Sequence, residues 1–485
     1  MACFPDLYAT RLPEGLTGTG GSCESRERAL IWRLAGCERL APALSQEEAA
    51  MDSEIIQRAQ ALRDKTIARR RDFHKHAEPG WTEFRTASLV AQALQELGFQ
   101  VLAGEEVIEP SAMMGVPPQA DLDRALQRAL GQGAIRAWAE KMAGGRTGVV
   151  GVMSFPRPGP TVALRVDMDA NDLVEAAEEK HRPAREGFAS VNPGAMHACG
   201  HDGHTAVGLA VAEVLAALKD RLAGTVKLIF QPAEEGVRGA KAMVVKGVVD
   251  DVKYLIGMHL GINLRSAGQV ACQTEGFLAT TKLDALFTGT PAHAGAAPET
   301  GRNAILAAAT ATLNLHAIPR HSKGASRVNV GVIQGGTGRN VIAAQALIKV
   351  ETRGATTEIN EFVYREAVRI IEAAAAMHGV TVALKEMGGA AGCGNDAALV
   401  ARIRQVVERQ GQFREILPAG NIGGSEDCTY FMERVQQRGG QAAYVMVGTE
   451  LAAGHHDSRF DINEEALVPA VALLAGVAAE LVVRG

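Results

Sequence analysis

The chain has no excess of basic residues, few cysteines and no long apolar run, and each shortage argues against a class of protein. Its 50 Lys and Arg residues stand against 55 Asp and Glu in 485 residues, so no basic surface for nucleic acid is indicated. Seven cysteines, an odd number, do not form a small disulfide framework and favour reduced thiols. We also find no apolar run of the roughly 18 residues that a membrane span needs and no signal-peptide pattern, so we expect a cytoplasmic protein without membrane contact.

What is present is the composition of a globular protein, with 47% hydrophobic and 22% charged residues. A chain of 485 residues exceeds what one hydrophobic core usually serves, so two or three domains are expected. Gly, Ser and Thr cluster within residues 1–50, and a helical pattern opens at Met51. We therefore expect residues 1–50 to be a flexible N-terminal extension.

From Met51 onward the pattern alternates helices with short apolar runs typical of buried strands, which predicts an α/β fold. Acidic residues and histidines follow these runs at or beyond their carboxyl ends. They are Asp167, Asp169, Glu234, Glu235, His259, His455 and His456. In open α/β sheets, ligands bind outside the carboxyl ends of the strands, so we expect these distant side chains to converge in one crevice.

Between residues 280 and 392 the predicted order changes to βαββαβ, the ferredoxin-like order. This segment is interpreted as a domain inserted into the first one. The expected division is a catalytic domain formed by residues 51–279 and 393–485, interrupted by an inserted domain at 280–392.

The segment "MHACGHDGH", residues 196–204, brings thiol, imidazole and carboxylate groups together. With the distant acids and histidines, this is the ligand set of zinc, or of manganese or cobalt when more oxygen is supplied. A redox site would need a Cys-x-x-Cys pair, and Cys199 has no such neighbour. A zinc nucleobase deaminase would need Pro-Cys-x-x-Cys, which is absent from the sequence.

The adjacent carboxylates of "QPAEE" can take two different roles, because one can bind a metal while the other stays free to take a proton from water. A solvated acidic turn is the plain alternative for any Glu-Glu pair. The position of Glu234 and Glu235 directly after a buried strand favours the functional interpretation.

Together these motifs resemble the M20 metallopeptidases, specifically the amidohydrolase branch that contains hippurate and indole-acetyl-amino-acid hydrolases. The resemblance runs from about residue 66 to the end of the chain, with two departures: Asn171, where the family usually has Leu, and Ala343, where it commonly has Pro. It implies a discontinuous zinc-peptidase-like catalytic domain with an inserted ferredoxin-like α+β domain that serves as lid and dimerisation surface. The motifs that carry it are "MHACGHDGH", "DMDA", "FQPAEEG", "AHAGAAPETGRNA", "GSED" and "AGHHDSRFDINEE".

The resemblance also implies a role for individual residues. Two divalent ions, Mn or Zn, would be bound by Cys199, His201, Glu235, His259 and His456, with His455 as the alternative to His456. Glu234 would be the general base, and Asp202 would orient His201. His293 would hydrogen-bond the oxyanion from the other subunit of a dimer, and Asn340 and Arg353 would hold the substrate carboxylate.

The function implied is hydrolysis of the amide bond in a small N-acyl amino acid by a homodimer, or by a heterodimer with a homologous second chain. A dipeptidase is the alternative within enzymes. A binding subunit without catalysis is the alternative outside them, and it would require a broken ligand set, whereas every implied ligand is present.

Overall fold

The computed structural model describes residues 46–484. The expected extension at residues 1–50 lies almost entirely outside the described residues. The first described helix begins at Gln46, before Met51. Acidic residues in its first turn interact favourably with the positive end of the helix dipole. The helices are α1 (Gln46–Ala61), α2 (Arg63–Lys75), α3 (Phe84–Glu96), α4 (Gln119–Gly131), α5 (Arg136–Lys141), α6 (Arg182–Arg185), α7 (His201–Ala217), α8 (Ala240–Val245), α9 (Ala304–Leu315), α10 (Thr357–Met377), α11 (Ala397–Gln410), α12 (Cys428–Gln437) and α13 (Leu467–Arg484).

Most strands belong to one of two larger sheets. The strands are β1 (Gln100–Ala103), β2 (Val149–Ser154), β3 (Arg157–Asp167), β4 (Ala223–Gln231), β5 (Tyr254–Leu260), β6 (Gln269–Ala271), β7 (Thr274–Glu275), β8 (Ala279–Thr288), β9 (Ser326–Gly335), β10 (Gln345–Gly354), β11 (Thr381–Ala390), β12 (Glu415–Leu417), β13 (Gly420–Asn421) and β14 (Gln441–Val447).

The larger sheet has eight strands in the order β1-β2-β4-β3-β5-β14-β6-β12. Its centre, β4-β3-β5-β14, is parallel, so the carboxyl ends of these four strands meet at one edge. The chain passes from β3 to β4 on one side and then to β5 on the other side of β3. The end of β3 is therefore the topological switch point, where α/β sheets bind ligands.

Both faces of this sheet are covered by helices. On β3, Val162 and Leu164 enter one apolar cluster with α7 and α13, whereas Ala163 enters a second cluster on the opposite face with α8 and α12. Burial on both faces explains why the strand sequences read as continuous apolar runs.

The last helix corrects the expectation that no apolar run is long enough to span a membrane. The segment Glu464–Val483 is long and apolar enough to cross a membrane, with a mean hydropathy of 2.3, although no such run was found in the sequence analysis. Of this segment, 83% is buried inside the protein, where α13 packs against α7, β3 and β4. It is therefore the central helix of the core.

The smaller sheet is antiparallel, with the order β11-β8-β10-β9, and α9 and α10 pack on one of its faces. The element order is the predicted βαββαβ. Strand β11 is joined to the loop after β4, because Gly389 N–H donates to the carbonyl of Val237 at 2.7 Å. A side chain at Gly388 would meet the Gly236 carbonyl oxygen at 2.3 Å, so only glycine permits this approach.

Candidate metal centre

The predicted convergence is found at the carboxyl ends of the parallel strands. Cys199 lies in the loop before α7, and His201 is the first residue of that helix. Between them, Gly200 has a φ of 96°, a left-handed conformation that glycine adopts without steric cost. Glu235 follows β4, and His259 is the penultimate residue of β5.

One half of the centre surrounds the Cys199 sulfur. His259 Nε2 lies 3.5 Å and His455 Nδ1 lies 3.4 Å from Cys199 Sγ. Nδ1 of His259 donates to the Leu260 carbonyl at 2.8 Å, so the lone pair of its other nitrogen is directed at the sulfur. A backbone acceptor on the far nitrogen is the usual arrangement of a metal-binding histidine.

The other half is formed by Cys199, His201 and Glu235, whose donor atoms lie within 4.8 Å of one another. His201 Nδ1 donates to the Asp169 carbonyl at 2.9 Å, and its buried Nε2 has no hydrogen-bond partner. Glu235 Oε1 is also buried, and its cationic neighbour is His456 Nε2 at 3.3 Å. Buried polar atoms are nearly always satisfied, so the unpartnered His201 Nε2 fits the ligand atom of a bound cation, and the Glu235 carboxylate beside it suits the same ion.

The charges around the site favour a cation. Burial alone would lower the pKa of His201, but the nearby Asp167 carboxylate raises it well above its usual value, so positive charge at Nε2 is stabilised. Although burial opposes ionisation of Glu235, His456 and His201 hold its pKa at about 2. Burial and the charge of Glu235 raise the pKa of the Cys199 thiol to about 12, and a divalent ion is what would stabilise its thiolate.

The carboxylate of Asp169 fixes both glutamates of the "QPAEE" turn. It accepts the backbone N–H of Glu234 at 3.0 Å and that of Glu235 at 2.8 Å. Glu234 lies beside the centre, with Oε2 3.9 Å from His201 Nε2. Burial and the negative charges of Glu426 and Glu235 raise its pKa, which suits a group that accepts a proton.

The two neighbouring histidines both reach the centre, but in different ways. His455 Nε2 accepts the backbone N–H of Ile262 at 2.9 Å, so the ring's proton lies on Nδ1, toward Cys199. His456 Nε2 lies 3.3 Å from Glu235 Oε1, and its backbone N–H donates to the Ala198 carbonyl. The donor atoms of Cys199, His259 and His455 lie within 4.8 Å of one another, but the Nδ1 that His455 turns toward the sulfur carries its proton. His456, whose Nε2 faces the carboxylate of Glu235, therefore stays the favoured ligand of the two.

The remaining histidines of the "MHACGHDGH" segment are not ligand candidates. His204 is buried, its Nδ1 donates to Asp167 at 2.6 Å and its Nε2 accepts the Leu260 N–H at 3.0 Å, so neither nitrogen is free. His197 is also buried, and neither of its ring nitrogens has a hydrogen-bond partner, but its donor atoms belong to no close group of ligand atoms among the described residues. Burial lowers its pKa to about 3.

The expected role of Asp202 is wrong. Its carboxylate accepts from His74 Nδ1 at 2.8 Å and lies 2.7 Å from Arg70 Nε, both on α2. His201 is oriented instead by the Asp169 carbonyl. Adjacent residues at the start of a helix face directions about 100° apart, which explains why Asp202 does not share the position of its neighbour.

Three further predicted residues lie on the segment of the smaller sheet. His293 and Asn340 are exposed and lie next to each other, since Ala294 N–H donates to the Asn340 carbonyl at 3.0 Å. Arg353 Nε pairs with Glu351 at 2.6 Å. Within the described single chain, no hydrogen bond or ion pair joins these three residues to the metal-ligand candidates.

Several residues beside the site were missed by the sequence analysis. Arg165 is fully buried in β3 and pairs with Asp167 at 2.7 Å and with Glu426 at 3.0 Å. A charged residue in the middle of the apolar run "VALRV" is the signal that could have indicated this buried network. Asn171, one of the two departures from the family pattern, accepts the Ala198 N–H at 3.0 Å and so holds the loop before Cys199.

The fold and the site together define a hydrolase whose centre suits divalent cations. Comparison with known proteins gives the family: residues 163–480 match peptidase family M20/M25/M40, and the chain belongs to it. One of the p-aminobenzoyl-glutamate hydrolase subunits of Escherichia coli (strain K12) is 54% identical over 419 residues, which cover 84% of this chain and 94% of that protein.

Two further similarities support the assignment. The indole-3-acetyl-aspartic acid hydrolase of Enterobacter agglomerans is 53% identical over 407 residues, covering 84% of this chain and 93% of that protein. The crystal structure of an aminobenzoyl-glutamate utilization protein from Klebsiella pneumoniae is 45% identical, with a TM-score of 0.76, and the similarity covers 87% of this chain and 97% of that one.

Proposed function

We propose that the protein is a metal-dependent amidohydrolase that cleaves p-aminobenzoyl-glutamate to p-aminobenzoate and glutamate in the cytoplasm. The observation that carries this proposal is the convergence of Cys199, His201, Glu235 and His259 with the carboxylate of Glu234 beside them. The substrate is taken from the name of the 54% identical relative. The 53% identical indole-3-acetyl-aspartic acid hydrolase favours an N-acyl-aspartate as the second candidate.

Two divalent ions, Mn or Zn, are assigned to this centre. The ligands are Cys199, His201, Glu235, His259 and His456. The bound ions would supply Lewis acidity toward the scissile carbonyl and lower the pKa of water.

The role of general base is assigned to Glu234. Its carboxylate accepts a proton from the attacking water and delivers it to the nitrogen of the leaving amine. Asp169 fixes the backbone of Glu234 and so keeps its carboxylate beside the centre.

His293 is assigned the role of hydrogen-bond donor to the oxyanion. Its Nδ1 accepts the backbone N–H groups of Gly295 at 3.2 Å and Ala296 at 3.1 Å, which places the ring proton on Nε2. Nε2 is therefore set as a hydrogen-bond donor to negative charge. Because no hydrogen bond or ion pair joins His293 to the centre within the described chain, we assign it to the centre of a partner chain.

The segment 280–392 is proposed to be the inserted lid and dimerisation domain, joined to a catalytic domain of residues 51–279 and 393–485. Asn340 and Arg353 on this segment would hold the substrate's α-carboxylate. The partner would be a second copy of this chain or a homologous one, and the 54% identical relative, which is itself one subunit of a hydrolase, supports such an assembly.

The test is turnover by the purified full chain, stripped with a chelator and reloaded with Mn²⁺ or Zn²⁺. The substrates are p-aminobenzoyl-glutamate, hippurate and a dipeptide panel. We expect no turnover by the stripped protein, restored cleavage of p-aminobenzoyl-glutamate after reloading, and almost none for Glu234→Gln, since general acid–base catalysis contributes about 10²- to 10⁴-fold. Metal-loaded protein that cleaves no compound would contradict the proposal and favour a protein that only binds its ligand.

A further inference from the structure

A cavity of about 410 Å³ opens directly beside the metal centre. One side of it is formed by Glu235 and His456, and the other by Lys282 of β8 and Met387 of β11. The cavity therefore lies between the carboxyl edge of the larger sheet and the open face of the smaller one. A substrate whose amide bond lies at the metal centre would extend into it.

Two cations of this cavity have no acidic partner. Arg238 donates from Nε to the Glu235 carbonyl at 2.8 Å and from Nη1 to the Gly115 carbonyl at 3.3 Å. Lys282 is partly buried, and this burial lowers its pKa, although the more distant charges of Glu351 and Glu234 oppose the shift. Among the described residues, no carboxylate lies within 4.0 Å of the charged nitrogens of either side chain.

The local structure holds Lys282 in place. It lies opposite Glu351 of β10 on one side and opposite Gly388 of β11 on the other. The glycine leaves that side of the lysine without a neighbouring side chain. Since Gly389 N–H also binds the Val237 carbonyl, β11 brings Lys282 next to the loop that carries Glu235.

Arg353, which is assigned to the α-carboxylate, has an acidic neighbour in Glu351 at 2.6 Å. Lys282 and Arg238 have no carboxylate of the described residues within 4.0 Å, so they offer a second position for an anion. A partly buried cation without a partner is costly, and a carboxylate of the ligand would offset that cost. Asp172 also lines the cavity but is exposed to solvent, where its charge is screened.

We propose that Lys282, together with Arg238, binds the side-chain carboxylate of the substrate's amino acid and so makes the enzyme selective for N-acyl derivatives of glutamate and aspartate. This inference rests on the proposed amidohydrolase function. Every N-acyl amino acid has an α-carboxylate, so cations that recognise only that group cannot select an acidic residue. A second unpaired cationic position within the catalytic cavity can do so.

The experiment compares kcat/KM for p-aminobenzoyl-glutamate and for p-aminobenzoyl-glutamine, which has nearly the same shape but no side-chain charge. The variants are Lys282→Met and Lys282→Arg, with Lys349→Met as the matched control. Lys349 lies on the same sheet but is exposed and does not line the cavity.

We expect Lys282→Met to lower kcat/KM for the glutamate compound by about 10- to 100-fold, the range of a hydrogen bond to a charged group, and to leave the glutamine compound within about threefold. Lys282→Arg should restore most of the preference, because it keeps the charge. The control Lys349→Met should leave both values unchanged.

The outcomes separate this inference from the proposed function. Wild-type protein that cleaves both compounds equally well, or Lys282→Met protein that loses both activities equally, would overturn the role of Lys282 while amide hydrolysis stands. Wild-type, metal-loaded protein that cleaves neither these compounds nor any other N-acyl amino acid would overturn both.

Discussion

At the scale of single residues, the backbone determines which imidazole nitrogens can bind a metal. His201 and His259 each donate one ring proton to a carbonyl, of Asp169 and Leu260 respectively, and so direct the other nitrogen at the centre. His455 accepts a backbone N–H instead, so its proton points inward. The same residue type therefore has opposite roles at the ends of the neighbouring strands β5 and β14.

This difference predicts the outcome of substituting the two neighbouring histidines. His456→Ala should lower the content of tightly bound divalent ion from two toward one per chain. The affinity lost should be at least about 10- to 100-fold, the loss seen when even an outer partner of a ligand is removed. His455→Ala should keep both ions. Metal analysis after dialysis measures the content.

The histidine pair provides its own control, because both variants remove one imidazole at the same site. A His455→Ala protein that loses one ion, beside a His456→Ala protein that retains two, would reverse the assignment. Such a result would mean that the Ile262 N–H bond is given up when metal binds.

The sequence predicted the residues at the strand ends well, because a polar residue after a buried strand is a local signal. It did not predict the partners of Asp202, since these depend on how α2 packs against α7. Nor did it indicate Lys282 or Arg238, because their proximity to Glu235 comes from the approach of β11 to the loop after β4. Such contacts depend on tertiary packing that no short pattern encodes.

At the scale of secondary structure elements, a buried charge network holds α2 against α7 and the segment before α13. Arg70 of α2 pairs with Asp202 and Asp461 at 2.7 Å each and with Glu464 at 3.3 Å. Arg182 adds a second cation to Asp461 and Glu464. The helices behind the metal centre are therefore joined by ion pairs as well as by apolar packing.

Asp202→Asn should destabilise the fold by about 3–5 kcal/mol at pH 7, since it leaves the buried Arg70 without one of its partners. Although burial opposes it, Arg70 and His74 hold the pKa of Asp202 far below its usual range. A depressed pKa means that this stabilisation is fully present above the unfolded-state pKa of about 4, begins to decline below it and is lost only as the pH falls through the folded-state pKa. The difference in melting temperature from wild type should therefore shrink on acidification.

Thermal unfolding at pH 7 and near pH 3.5 measures this difference. Glu140→Gln is the matched control, because Glu140 forms only an exposed ion pair with Arg136 and its removal should cost at most about 1 kcal/mol. Equal destabilisation by Asp202→Asn at both pH values would show that the network does not act through the charge of Asp202.

At the scale of the whole molecule, the smaller sheet has the features of an interface. Strand β9 is its edge and is mostly exposed, with a row of unpaired backbone groups available for another chain. Large apolar side chains are exposed on the same segment: Leu306, Leu313, Val332 and Ile333. An edge strand beside exposed apolar residues favours association of two chains through this segment.

If His293 serves the partner's centre, then two inactive variants should restore activity to each other. Glu234→Gln protein lacks the proton acceptor, and His293→Ala protein lacks the oxyanion donor. A mixed dimer has one centre with an intact Glu234 from one chain and an intact His293 from the other. For a symmetric dimer, an equimolar mixture after full exchange of chains should recover about a quarter of wild-type activity, since half of the dimers are mixed and each has one complete centre.

The measurement is turnover of p-aminobenzoyl-glutamate after mild dissociation and reassociation, with each variant alone treated in parallel. If the exchanged mixture stays as inactive as its components, while size analysis shows that mixed dimers have formed, His293 acts within its own chain. In that case the lid would have to close over its own centre to bring His293 to the substrate. The activity of the mixed dimers therefore shows whether each catalytic site is completed by one chain or by two.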